Sequence, residues 1–123
     1  MRLLLWLTSF SLSVASFTSH GAEPGQLAFN NRCRTCHSVK EGDNRQGPSL
    51  HAIVGRKAGT SAGFAAYSQA LKSSDIVWDN ETLSAFIENP DAVVPGHNMR
   101  PYSGLPDAKE REEIVSYLST VSD

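Results

Sequence analysis

The sequence predicts a single all-α domain with three main helices, one or more short helices and long ordered loops. Apolar residues recur at helical spacing in three separate stretches, whereas no stretch sustains the alternation that is typical of a strand. Two glycine- and proline-rich segments, 38–63 and 90–106, separate these stretches. Loops this long in so small a domain require something that orders them.

The first residues have the layout of a secretory signal peptide. Arg2 is followed by an apolar, serine-rich stretch over 3–17, too short for the roughly 20 apolar residues of a membrane span. Small residues at Ser19 and Gly21 predict cleavage after Gly21. We therefore expect a signal peptide over 1–21 and a mature domain over 22–123, with no stable membrane insertion after cleavage. An uncleaved N-terminal anchor is the alternative.

Size and charge limit the classes of function. The chain has 123 residues and a formal charge of −2, which becomes −3 once Arg2 leaves with the signal peptide. A weakly acidic domain of this size does not suit nucleic-acid binding. The helical stretches carry few large apolar residues, so a large flat apolar ligand would supply the missing part of the core.

The first main helix is expected within 22–37. Pro24 is tolerated in a first helical turn, and Ala28 and Phe29 follow one turn later. A shorter helix is expected over 67–74.

Two further main helices are marked by their caps. Asp79 is a candidate N-cap for a helix that ends at Pro90, and Asp107 lies three residues before Glu110, as in a capping box. The apolar residues of these helices fall on one face each: Leu83, Phe86 and Ile87 in the first, and Ile114, Tyr117, Leu118 and Val121 in the second.

The segment CRTCH, residues 33–37, holds both cysteines of the chain followed at once by a histidine. In helical geometry Cys33, Cys36 and His37 project to one side, so two thioether bonds could hold a porphyrin while His37 reaches its iron. A dithiol oxidoreductase would place such a pair near a βαβ unit, and no strand is evident. A closed zinc site needs four ligands, for which only isolated histidines (His20, His51 and His97) remain. The segment therefore favours one covalently bound haem c.

A six-coordinate haem needs a second axial ligand, and Met99 is the best candidate. It is the only methionine after Met1, and it lies in a proline- and glycine-rich loop instead of on an apolar helix face. A methionine that merely fills a gap in the core is the plainer alternative. His97, two residues away, is a competing ligand.

Several motifs in this order resemble class I cytochrome c, and closely the mitochondrial and bacterial periplasmic members. They are CRTCH, GPSLH, GRKAG, ETLSAFIENP, VPGHNM and EREEIVSYL, and the resemblance runs from about Gly25 to Leu118. It implies a fold wrapped around one haem, covalent attachment through Cys33 and Cys36, and axial ligation of the iron by His37 and Met99.

The resemblance also implies contacts around the haem and between helices. The carbonyl of Pro48 would accept a hydrogen bond from His37. Arg56, Tyr67 and Trp78 would meet the inner haem propionate. The first and last helices would cross at Gly25, Phe29 and Tyr117, whereas His51 matches a position that is not a ligand.

Some positions depart from the family pattern. Phe86 stands where many relatives have a tyrosine near the methionine, and His97 replaces a common threonine. Insertions of one residue leave Tyr67 and Tyr102 as less secure equivalents of family positions. Asp91 and Asn98 occupy positions that are often lysine.

Together these observations predict a soluble periplasmic one-electron carrier and not an enzyme. Its expected partners are redox proteins: a quinol-oxidising complex, a terminal oxidase, a reductase or a photosynthetic centre. We expect a monomer. The alternatives are the haem subunit of a larger dehydrogenase and a haem domain with peroxidase or sensor activity.

Overall fold

The computed structural model describes residues 23–122, so the expected signal peptide over 1–21 lies outside the described residues. The helices in this range are α1 (Pro24–Arg32), α2 (Gln69–Lys72), α3 (Asn80–Glu88), α4 (Pro90–Val93) and α5 (Ala108–Thr120). An isolated bridge between Lys57 and Val77 is the one β contact recorded among these residues. Within the same range, no helix has the length and apolar character needed to cross a membrane. The predicted all-α class, with three main helices and shorter ones, is confirmed.

The helix starts follow the capping residues in the sequence. Asp79 accepts a hydrogen bond from the backbone N–H of Thr82 at 2.7 Å, and the Thr82 hydroxyl accepts one from the N–H of Asp79 at 2.9 Å. This reciprocal pair satisfies two N–H groups that α3 would otherwise leave free. Asp107 caps α5 in the same way, accepting from the N–H of Glu110 at 2.7 Å.

Helix α1 ends earlier than its sequence suggests, before the CRTCH segment. The N–H groups of Cys33 and Arg34 both donate to the carbonyl of Phe29, which closes the helix at Arg32. The segment continues as turns in which Cys36 and His37 donate to the carbonyl of Cys33 at 3.1 and 2.9 Å. These two hydrogen bonds join residues three and four positions apart, as in a helix, although α1 itself has ended.

Helix α4 is a single turn that the sequence did not predict. Pro90, expected only to end α3, instead starts the next helix, where a missing N–H costs nothing. Asn89 caps it by accepting a hydrogen bond from the N–H of Ala92 at 3.2 Å. Asn89, whose backbone is not helical, therefore ends α3 and starts α4 at the same residue.

Helices α1 and α5 cross closely, at the three residues named from the family resemblance. The Phe29 and Tyr117 rings lie 5.6 Å apart between centroids. A Cβ at Gly25 would lie 2.8 Å from the Tyr117 Cβ and would overlap the carbonyl oxygen of Glu113. The absence of a side chain at Gly25 therefore sets the distance between the two helices.

We predict that Gly25→Ala destabilises the haem-loaded protein by about 1–3 kcal/mol because the added methyl group forces the helices apart. Helix propensity alone would predict that the free energy of unfolding rises by about 1 kcal/mol. The sign of the measured change therefore distinguishes the two effects. Denaturant unfolding of both proteins measures it, with Gln26→Ala, an exposed change in the same helix, as control. A Gly25→Ala protein as stable as the parent would contradict the close crossing.

Candidate functional site

The helices and the long loops enclose one large cavity. Its empty volume is about 1350 Å³ when the open mouth and the solvent in it are included. All eight residues predicted from the sequence to bind the cofactor line it: Cys33, Cys36, His37, Pro48, Arg56, Tyr67, Trp78 and Met99. Residues as far apart in the chain as Cys33 and Met99, 66 positions, thus line the same cavity.

The two cysteines lie at one side of the cavity as free thiols. Burial raises the pKa of the Cys33 thiol to about 12, so it stays protonated at neutral pH. The Cys36 thiol donates to Oε1 of Gln46 at 3.2 Å. Both sulfurs are therefore available for covalent attachment of a group in the cavity.

His37 is buried and firmly oriented. Its Nδ1 lies 2.8 Å from the carbonyl oxygen of Pro48, which can only accept, so Nδ1 carries the proton. Burial lowers the pKa of His37, which favours the neutral ring. The other nitrogen, Nε2, is then unprotonated, as a metal ligand must be.

Gly47 packs directly against the His37 ring. A Cβ at this position would lie 2.7 Å from Nδ1 and 2.8 Å from Nε2, too close for any side chain. The backbone N–H of Gly47 donates to the carbonyl of Cys36 at 2.8 Å, which ties this loop to the CRTCH turns. The histidine is thus held by a hydrogen bond and by a flat backbone surface.

Arg56 brings an unbalanced positive charge to the cavity. Its guanidinium donates to the carbonyls of Ser49 at 2.8 Å and His51 at 3.1 Å. Across residues 23–122, no carboxylate lies at ion-pair distance from it, and partial burial lowers its pKa. A half-buried guanidinium held only by carbonyls suits an anionic group of a ligand.

Tyr67 and Trp78 lie in the same cavity wall as Arg56. The Tyr67 hydroxyl oxygen accepts from the backbone N–H of Ser61 at 3.1 Å, which leaves its own proton free to donate. Trp78 is buried, and its backbone N–H donates to the carbonyl of Arg56 at 3.0 Å. The insertion near Tyr67 has therefore not removed this side chain from the cavity.

Met99 lies in the cavity wall on the loop between α4 and α5. Its backbone N–H donates to Nδ1 of His97 at 3.0 Å. The neighbouring Asn98 side chain donates to the carbonyl of Ala66 at 2.8 Å. The loop is therefore fixed on both sides of its contact with the cavity.

The competing ligand His97 is fully buried at its side chain but lies outside the cavity lining. Its Nδ1 accepts from Met99, and its Nε2 faces Asp91. His51 also lies outside the lining, with Nδ1 3.2 Å from the carbonyl oxygen of Val39. In the described part of the chain, no group of three or more His, Cys, Asp or Glu side chains could hold a metal ion.

The two aromatic departures from the family pattern both line the cavity. Phe86 packs between the rings of Trp78, at 5.1 Å, and His97, at 5.8 Å, and offers no hydroxyl. The Tyr102 hydroxyl donates to the carbonyl of Ile87. Burial raises the pKa of Tyr102 to about 12. Tyr102 is thus a neutral aromatic wall of the site.

Sequence reasoning gave no role in the site to three residues that the structure places there: Gln46, Gly47 and Asn98. Gln46 contacts the Cys36 thiol, Gly47 packs on His37, and Asn98 anchors the methionine loop. The one indication in the sequence was that these residues lie next to or near Pro48 and Met99, which had already been assigned to the site. Polar residues in loops have no periodicity that would reveal a long-range partner.

The rim of the cavity carries no uncompensated charge among the described residues. The exposed residues in its lining are Arg32, Gln46, Ala66, Asn98, Arg100 and Pro101. Arg32 pairs with Glu110 of α5 at 2.6 Å, and Arg100 pairs with Asp91 of α4 at 2.6 Å. Both rim cations are thus neutralised by carboxylates from another segment.

These observations fit a covalently attached haem. Two free thiols, an oriented neutral imidazole, apolar walls and an arginine without a carboxylate all face one cavity. The arginine matches a propionate, and the thiols match the haem vinyl groups. His37 and Met99 would hold the iron.

Comparisons with known proteins agree with this chemistry. The profile of the cytochrome c family matches residues 22–122. The chain is 42% identical over 102 residues to cytochrome c of Euglena viridis, covering 83% of this chain and 98% of that protein. It is 41% identical over 97 residues to cytochrome c2 of Rhodopila globiformis, covering 79% and 90%. The solved structure of cytochrome cH from Methylobacterium extorquens superposes with a TM-score of 0.71 at 38% identity, covering 79% of this chain and 95% of that one. The chain therefore belongs to the cytochrome c family of electron carriers, which bind haem c covalently through a motif that CRTCH matches.

Proposed function

We propose that this protein is an exported one-electron carrier whose haem iron is held by His37 and Met99. One observation carries the proposal: both side chains line the cavity that also receives the two thiols. The haem supplies an iron that alternates between ferrous and ferric states. If His37 and Met99 both hold the iron, they would leave no open position for a substrate, so the protein's role would be electron transfer.

The protein's part is to keep the ligands in place through both oxidation states. The Pro48 carbonyl and Gly47 fix the His37 ring, so Nε2 keeps one direction. The hydrogen bonds of the Asn98 and His97 side chains fix the loop that carries Met99. A rigid frame of this kind keeps the reorganisation that accompanies electron transfer small.

The cavity walls set the balance between the two oxidation states. Apolar side chains such as Ile53, Leu83 and Phe86 keep water away from the iron and disfavour its extra charge in the ferric state. A methionine ligand acts in the same direction. Arg56, placed to meet a propionate, adds a positive charge that also favours the ferrous state. The proposed carrier thus has a raised reduction potential.

We further propose that residues 1–21 are a cleaved signal peptide and that the mature protein works as a monomer in a bacterial periplasm. Support comes from the layout of these residues and from the bacterial relative Rhodopila globiformis. The redox partners would be a quinol-oxidising complex as donor and an oxidase, reductase or photosynthetic centre as acceptor.

Two other functions make different demands on the same residues. A peroxidase or sensor would need Met99 to leave the iron readily. The hydrogen bonds around the Met99 loop favour the carrier instead. A haem subunit of a larger dehydrogenase would purify with its partner rather than alone.

The mass of the purified native protein tests attachment and export together. We expect the polypeptide that begins at Ala22, plus one haem that acidified organic solvent does not extract. Cys33→Ala, which removes one of the two thioether bonds, should weaken retention of the haem. Free porphyrin in the extract of the native protein would contradict covalent attachment, and retention of residues 1–21 would contradict cleavage.

We predict that Met99→Ala abolishes the methionine–iron charge-transfer band of the ferric protein. The reduction potential should fall by on the order of 100 mV because the iron loses the methionine ligand, which favours the ferrous state. Absorption spectra and a potentiometric titration measure both effects. If the band survives in Met99→Ala, the axial assignment is wrong.

The neutral rim predicts a weak salt dependence of electron transfer. Glu110→Gln should release the charge of Arg32 and raise the rate with an acidic mitochondrial-type oxidase by about twofold at low salt. Added salt should reverse the gain because it screens exposed charges. Second-order rates across an ionic-strength series measure the effect.

Glu112→Gln is the matched control, since it changes the net charge equally on the same helix. Glu112 lies in a surface depression at the α1–α5 crossing, which does not include the cavity rim. Equal responses of the two variants would show that net charge, and not the rim, governs the encounter.

A further inference from the structure

One carboxylate, that of Asp91, contacts side chains on both sides of Met99. Arg100 donates to it through two nitrogens, Nη2 to Oδ1 at 2.6 Å and Nη1 to Oδ2 at 3.2 Å. On the other side, Nε2 of His97 lies 3.0 Å from Oδ1, although its angle is too poor for a regular hydrogen bond. Asp91 thus faces residues 97 and 100 together.

His97 connects this carboxylate to the backbone of the ligand loop. Its Nδ1 accepts the N–H of Met99 at 3.0 Å, so in the neutral ring the proton is on Nε2, facing Asp91. The His97 side chain is completely buried, and its ring packs edge to face against Phe86. His97 therefore acts as a rigid spacer between Asp91 and Met99.

Asp91, which lies on the far side of His97 from Met99, is held firmly by its helix. Asp91 belongs to α4, which packs against α3 and is anchored by the buried residues Pro90 and Val94. The N–H of Val94 donates to the carbonyl of Pro90 at 2.9 Å, and His97 in turn donates to Val94 at 3.0 Å. A short helix with buried ends thus presents the carboxylate to a loop that has no helix of its own.

We propose that Asp91, His97 and Arg100 form a bracket that positions Met99 and slows its departure from the iron. These are positioning residues, since none of them is a proposed ligand. The role rests on the proposed ligation by Met99. It gives a function to two departures from the family pattern, Asp91 and His97.

The limiting rate of imidazole binding to the ferric haem-loaded protein tests the bracket, because at saturating imidazole this rate reports how often Met99 leaves the iron. We expect Asp91→Asn and Arg100→Gln each to raise it about two- to fivefold, the range for an ion pair whose two partners are both exposed. Arg100→Lys, which keeps the charge but loses the two-nitrogen contact, should give a rate between those of Arg100→Gln and the parent protein. The double variant should be no faster than Asp91→Asn alone, since that change already removes the partner of Arg100.

Glu110→Gln provides the matched control. It breaks the Arg32–Glu110 pair, another rim pair in which two guanidinium nitrogens, here Nε and Nη2, donate to one carboxylate. Its limiting rate should equal that of the parent protein. The charge-transfer band, followed with temperature, should vanish earlier in Asp91→Asn, while the helical circular dichroism signal persists.

Each alternative result has a distinct meaning. Unchanged imidazole rates in Asp91→Asn and Arg100→Gln would overturn the bracket while leaving ligation by Met99 intact. Equal acceleration in Glu110→Gln would also overturn it, because general loosening would then explain the effect. A charge-transfer band that survives in Met99→Ala would overturn both the ligation and the bracket.

Discussion

The central cavity is the constraint on which the rest of this structure depends, because four of the five described helices and the long loops contribute side chains to its lining. Ile53 comes from the first long loop, Leu71 from α2, Leu83 from α3 and Leu118 from α5. A domain of about 100 residues has little apolar surface to spare for a second core. Burial of the haem against these side chains, at roughly 25 cal/mol per Å² of apolar surface, therefore joins helices and loops into one cooperative unit.

The long loops owe their order to polar contacts as well as to the cofactor. Ser49 is buried, its hydroxyl donates to the carbonyl of Lys40 at 2.6 Å, and its N–H donates to Asn44 at 2.9 Å. Its own carbonyl accepts from Arg56, so one residue joins three parts of the loop. Arg56 thus links loop structure to the cofactor, since the guanidinium that holds these carbonyls also faces the cavity.

The sequence was most informative where structure is local. Asp79 and Asp107 identified helix starts because a cap and its partner lie three residues apart. The early end of α1 and the existence of α4 depend on competition between neighbouring hydrogen bonds, which residue types alone do not decide. Four of the eight site residues (Cys33, Cys36, His37 and Met99) followed from the motif and the lone methionine, and the other four from the family resemblance. The Asp91–Arg100 pair could not be foreseen, because an ion pair across nine positions has no sequence signature.

The carboxylate of Asp91 affects both the charge of the cavity rim and the position of Met99. Asp91 cancels the charge of Arg100 at the rim while it faces both ends of the Met99 segment. A lysine there would make the rim more basic, but it would repel Arg100 and leave His97 without its acidic neighbour. If the proposed bracket operates, attraction of an acidic partner and the holding of Met99 would compete for one position, and its aspartate would favour the second.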